Sequence, residues 1–182
     1  MSSLPRLAAS ILLILSCAAF GADPEIVVKL LKNGDAFVVD ARFDIAAPLR
    51  TAWEVLTDFD NMAGILSNLT SSKIIRRTGN TLNVVQEGAA RYGIFTYSFA
   101  SEREIRLEPM RRILARQLTG TAKRFESEMK LSASDRGTQI HYRAEIVPDS
   151  GIARTFGGPF IEHEIEEQLN AMAAEMVRRK AL

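Results

Sequence analysis

The sequence predicts an α+β domain: an antiparallel sheet of about seven strands, packed on one face against a long C-terminal helix, with two short helices after the first strand. Three observations carry this. Residues 37–45 alternate, with Phe37, Val39, Ala41, Phe43 and Ile45 on one face and Asp40, Arg42 and Asp44 on the other, and a proline and a helical stripe follow at once. A series of short β-rich runs then comes, separated by turn residues. The chain closes with Ile161, Ile165, Leu169, Met172 and Met176 at spacings of 4, 4, 3 and 4, the period of one helix face.

Each element has a local reason. Pro48 sits where a helix begins, because its fixed φ suits the first turn and its missing N–H has no partner there. Ala52, Val55, Leu56 and Phe59 form a stripe at helical spacing. Asp58, Asp60 and Asn61 end that helix, and residues 62–66 add a short second one. Residues 73–77 and 82–87 are strands across the hairpin signal Gly79-Asn80. Residues 94–105 form a long strand with Phe95, Tyr97 and Phe99 on one face, and Glu108-Pro109 separates it from the strand 113–118. Residues 125–131 and 139–146 pair across Asp135-Arg136-Gly137, which points Phe125, Met129 and Leu131 the same way as Ile140, Tyr142, Ala144 and Ile146. The last helix is expected from about Pro159. Its first half is crowded with Glu162, Glu164, Glu166 and Glu167, and its last turn carries Arg178, Arg179 and Lys180, both suiting the helix dipole.

Residues 1–22 stand apart from this pattern. Arg6, an apolar run over 7–20 and small residues before Asp23 have the layout of a secretory signal peptide, so 23–182 is expected to be the mature domain, secreted or periplasmic. The run is shorter than the roughly 20 residues a membrane-spanning helix needs. Cys17, the only cysteine, follows Ser16 in a loose lipoprotein-like setting, with lipid anchoring there as a minor alternative. Cleavage beyond it leaves no thiol for a disulfide, metal or nucleophile. The 23 basic residues less Arg6 then balance the 22 acidic ones, which argues against general nucleic-acid binding. Charge is uneven, however. Between Arg103 and Arg124 lie seven basic residues and two acids, and Arg103, Arg106, Arg111, Arg112 and Arg116 are expected either on a solvated strand face or as a patch that docks on anionic lipid.

Several segments in this order resemble the START-like (SRPBCC) superfamily, specifically its polyketide cyclase/dehydrase and lipid-transport group, which includes coenzyme Q-binding proteins. Ile45-Ala46-Ala47-Pro48 and Trp53-Glu54-Val55-Leu56-Thr57-Asp58-Phe59 look like that family's helix start and its Trp-x-Val-Leu-x-Asp-Tyr signature. Gly34-Asp35-Ala36-Phe37-Val38-Val39, Val85-Gln86-Glu87-Gly88 and Gly137-Thr138-Gln139-Ile140-His141-Tyr142 resemble its strand motifs. The chain departs from the family at Leu66-Ser67-Asn68, where relatives often carry a proline, and at Arg124-Phe125-Glu126, where many carry Gly-x-Trp. The resemblance implies a helix-grip fold, a curved sheet gripping the last helix, with an apolar cavity that holds lipids, quinones, sterols or polyketides.

The residues add no catalytic centre, metal site or cofactor motif to this. His141 should face away from the cavity side, between Ile140 and Tyr142. His163 and Glu167 supply two ligands at most, fewer than a zinc site needs. There is no Gly-x-Ser-x-Gly elbow and no phosphate-cradling loop. The expected ligand-lining residues are Phe95, Tyr97, Phe99, Phe125, Met129, Tyr142, Phe156, Phe160, Ile165, Leu169 and Met172, each of which could equally be plain core. Phe156 and Phe160 are gate candidates beside a glycine-hinged loop at 148–158. The expected function is binding, and carriage, of a hydrophobic small molecule. An aromatase/cyclase-like enzyme, for which the alternation aims few polar groups inward, and an envelope protein-interaction module are the alternatives.

Overall fold

The computed structural model describes residues 26–181, with the side chains of Tyr92, Phe95 and residues 151–156 outside that description. The expected signal segment and Cys17 therefore lie outside the described residues.

Eight strands, rather than about seven, form one open antiparallel sheet. They are β1 (Val27–Asn33), β2 (Ala36–Ile45), β3 (Leu69–Thr78), β4 (Thr81–Tyr92), β5 (Phe95–Glu108), β6 (Arg112–Gly120), β7 (Ala122–Ser134) and β8 (Gly137–Pro148). Helix α1 (Leu49–Leu56) and a 3-10 turn (Phe59–Gly64) separate β2 from β3, and α2 (Gly151–Lys180) closes the chain. In space the order is β1-β2-β8-β7-β6-β5-β4-β3, so the ends of the chain's β region meet where β2 pairs β8. The additional strand is β1. It turns into β2 at Gly34, whose φ of +59° is a conformation glycine adopts without strain.

Local contacts fix the helical connection. Val55 and Ala52 of α1 are fully buried, and the Thr57 hydroxyl donates to the Trp53 carbonyl at 2.8 Å to close the last turn. Phe59 and Met62 bury the 3-10 turn, and Ser72 of β3 donates to the Phe59 carbonyl at 2.5 Å. Gln86 of β4 donates in turn to Ser72 at 2.9 Å, so a buried polar relay pins this turn to the sheet.

Helix α2 begins at Gly151, not near Pro159, and the expected hinged loop is helical over most of its length. Pro159 lies inside the helix, where it removes one backbone hydrogen bond. Tertiary packing outweighs the glycine and proline breakers here. Gly157 and Gly158 are buried, and a Cβ at Gly158 would stand 3.3 Å from Leu30 and 3.4 Å from Phe37. The absent side chain lets the helix approach β1 and β2 closely.

Farther along, Ile165, Leu169, Ala173 and Met176 enter the core with Val39, Ile45, Val55, Leu82, Val84, Ile105 and Ile140. Each of these side chains larger than alanine contributes roughly 1.5–3 kcal/mol on burial. At its far end α2 is tied to the segment after α1, where Arg179 donates to Asp58 at 2.8 Å. The helix packs chiefly on α1, β1, β2 and β8. It covers one half of the sheet and leaves the inner face of β4–β7 less directly overlaid.

Candidate functional site

Strand register aligns one inner face across the sheet. Ala41, Tyr142, Met129 and Ile113 stand in one row, and Val39, Ala144, Ser127 and Ala115 in the next. On the far half, Ile105 lies opposite Leu82 and Ala115, Arg103 opposite Val84 and Gln117, and Ser101 opposite Gln86. Side chains alternate along each strand, so Phe99, Ser101, Arg103, Ile105 and Leu107 share the inner face of β5.

The position of Arg103 corrects the sequence expectation. It does not join a lipid-facing patch but points inward, its guanidinium carbon 5.5 Å from the Phe125 ring centroid. Its Nε is buried without a hydrogen-bond partner, and no carboxylate pairs with it among the described residues. Burial pushes its pKa down from the ordinary value and the nearby Tyr142 pulls it back up. A guanidinium starts so high that it remains a cation at neutral pH. Burial pushes the Tyr142 hydroxyl up, against smaller opposing effects from Arg103 and a hydrogen bond with Ser127. Tyr142 is therefore a neutral phenol that can donate.

A second interior polar pair links α2 to the sheet. Glu164 is buried, and Asn68 donates to its Oε2 at 2.9 Å. Burial raises the Glu164 pKa, Asn68 lowers it, Glu167 raises it and His163 lowers it. The Asn68 Oδ1 is buried without a partner. Gly88 makes this arrangement possible: a Cβ there would lie 2.1 Å from the Asn68 carbonyl oxygen and 2.7 Å from the Phe99 ring. Sequence reasoning missed both Arg103 and Glu164 as interior groups. Arg103 sits at period 2 from Phe99 and Ile105, and Glu164 at i+3 from Ile161, so the signal was present in the spacing.

The expected ligand-lining residues divide by burial. Met129, Ile165 and Leu169 are buried, and Phe99, Phe125, Tyr142 and Met172 pack partly buried against the core. Tyr97 is 47% exposed, and its ring meets Phe160 of α2 edge-on at 6.2 Å. The Phe95 and Phe156 side chains lie outside the described residues.

The remaining arginines are on the outer face or at its end. Arg106 and Arg116 both reach Glu104, at 3.0 and 3.4 Å, and Arg112 bridges Glu108 and Glu128. Pairing with β7 brings in Glu126 and Glu128, which the local charge count of β5 and β6 does not contain. Hollows of about 540 Å³ and 420 Å³ on this outer side are lined by such mixed charges. His141 faces outward as expected, its Nε2 2.9 Å from Asp40 Oδ2. His163 stands 3.5 Å from Glu167. No group of three metal-binding side chains and no helix long and apolar enough to cross a membrane occurs among the described residues.

The family model for polyketide cyclase / dehydrase and lipid transport matches residues 36–178, from the first residue of β2 nearly to the end of α2. The chain belongs to this family. No curated protein matches it by sequence. Solved structures share the helix-grip, START-like fold. The Zhui aromatase/cyclase from Streptomyces sp. R1128 is 22% identical, over 79% of this chain and 95% of that one, with a TM-score of 0.70. A START superfamily protein from Mycobacterium smegmatis is 13% identical over 79% and 97%, with a TM-score of 0.63. A STAR-related lipid transfer protein from Xanthomonas axonopodis is 11% identical over 82% and 98%, with a TM-score of 0.61. At these identities the likeness establishes the fold.

Proposed function

We propose that this member of the polyketide cyclase/dehydrase and lipid transport family binds an amphipathic small molecule between α2 and the inner face of the sheet, and carries it. The observation behind this reading is Arg103. A half-buried, inward-facing cation beside a phenol, with its Nε buried and unpartnered and no carboxylate paired with it among the described residues, favours a ligand acceptor. A ligand carbonyl, phenolate or carboxylate oxygen supplies the missing acceptor. The hydrocarbon part lies against Met129, Ile165, Leu169 and Met172. Burying about 300 Å² of it contributes roughly 7 kcal/mol before entropic costs. The family description and the lipid-transfer name of one structural neighbour support a lipid or polyketide-like ligand. The leader-like residues 1–22 support a secreted or periplasmic carrier.

A second reading has a specific observation in its favour. Arg103 and neutral Tyr142 lie near enough to influence each other electrostatically, and both are donors; meeting one carbonyl oxygen of a ligand, they would stabilise an enolate as a reactive chain folds. The interior is more polar than the sequence led one to expect, so a cyclase stands as the alternative, and the aromatase/cyclase neighbour agrees with it in fold.

Native mass spectrometry of the purified protein, followed by solvent extraction, tests the carrier. A retained small molecule is expected, and Arg103→Met should weaken its binding ten- to a hundredfold while leaving the fold intact. An empty protein that binds nothing in a lipid and quinone screen would overturn the reading. Conversion of a bound poly-β-ketone by the wild type, lost in Arg103→Met, would favour the cyclase.

A further inference from the structure

The β4–β5 hairpin runs past the rest of the sheet. Pairing of β4 with β3 ends at Gly88, and pairing of β5 with β6 begins at Ser101, so residues 90–99 form a ribbon of two strands only. At about 3.3 Å per residue it projects roughly 15 Å beyond its neighbours. Its tip carries Ile94, which is 93% exposed, next to Gly93 at φ +59°.

Composition separates this ribbon from the β5 and β6 surface beside it. Residues 90–99 read ARYGIFTYSF: four aromatics, one isoleucine, one arginine and no acid. On the adjoining β5 and β6 surface the cations are matched by carboxylates, Arg106, Arg112 and Arg116 by Glu104, Glu108 and Glu128. Within the ribbon the exposed Arg91 has no acid on the same strand pair beyond Gly88. A lone exposed isoleucine on a protein is ordinary. An isoleucine at the apex of an acid-free, tyrosine-bearing projection is different, because tyrosine and arginine favour the headgroup zone and an aliphatic tip favours the acyl region beneath it.

We infer that the β4–β5 ribbon docks this protein on an anionic bilayer, with Ile94 inserted and Arg91 at the phosphates. The inference moves membrane contact away from the arginines of β5 and β6 to the ribbon that holds Tyr97 against Phe160. It stands independently of the ligand reading, since docking requires no occupied interior. The partner is a lipid surface, favoured over a protein by the absence of acids and by the single apolar apex.

Flotation of the full chain with vesicles of phosphatidylcholine alone, or with one quarter phosphatidylglycerol, tests it. The wild type should bind the anionic vesicles, and Ile94→Glu should bind on the order of tenfold more weakly. Arg116→Glu on the outer face should bind as the wild type does. Any contribution of the apolar residues 7–20 is common to all three proteins. Ile94→Trp gives a local readout: its fluorescence should shift to the blue and be quenched by brominated acyl chains. Equal binding of wild type and Ile94→Glu, or a tryptophan at 94 that stays in water, would overturn the inference. So would a wild-type dimer that Ile94→Glu dissolves, which would assign the tip to a second copy.

Discussion

Two glutamates on α2 show how one residue type takes opposite roles. Glu175 is held down from 4.5 to about 2, first by its hydrogen bond with Arg178 and then by Arg179, with Arg178 at 2.7 Å and Arg179 at 2.6 Å. Its folded pKa lies below the unfolded one. Its contribution is therefore present above about pH 4.5 and is lost as the pH falls toward about 2. After solvent screening, Glu175→Gln should cost about 1 kcal/mol at pH 7, and only a small fraction of that near pH 2, by urea unfolding. Glu164 behaves the other way. Burial raises its pKa, so its stabilisation is complete below the unfolded value and is lost as the pH rises through the folded one. Glu164→Gln keeps an acceptor for Asn68 and removes the buried charge. The variant should melt at a higher temperature than wild type at pH 8, by about 1 kcal/mol of stability, with the gap closing toward pH 4. A lower Tm at pH 8 would refute the raised pKa.

At the scale of elements, the junctions matter more than the strands. Gly88 lets β4 pass beneath the Asn68 carbonyl, and the obstacle to any side chain is backbone. Gly88→Ala should therefore lose about 2 kcal/mol or more in chemical denaturation, with the Ala89 to Asn68 backbone bond of 2.9 Å disrupted. Thr138 is fully buried and donates to the Ala47 carbonyl at 2.8 Å, which fastens β8 to the start of α1. Thr138→Val keeps the volume and orphans that carbonyl, at about 1–2 kcal/mol. Element type was largely legible. The outward His141 and the shared face of Phe125, Met129, Tyr142 and Ile146 followed from alternation alone. The start of α2 was not legible, because Gly157, Gly158 and Pro159 signal a break unless the helix is known to press on Leu30 and Phe37. Strand β1 announced itself only through Asn33-Gly34, a hairpin pair that the family-like start of β2 overshadowed.

Over the whole molecule, stability is unevenly spread. The β2–β8 seam lies under α2, whereas residues 90–99 have partners on one side only. Amide hydrogen exchange should be slowest at Val39, Ala41, Ile140 and Ala144 and faster by orders of magnitude across the ribbon. Uniform protection would contradict the open architecture. Periodicity and short motifs carry the order of β2 to β8 and the two helices, and the family. Which charges face inward is settled by contacts between distant segments. Arg103 and Glu164 sit in charged stretches that read as solvated, and their burial depends on which strands and which helix lie opposite. The outer arginines are mixed in this respect: Arg106 and Arg116 pair with Glu104 and Arg112 with Glu108, both acids of β5, whereas the second partner of Arg112, Glu128, arrives from β7 through strand register, a relation that local sequence does not contain.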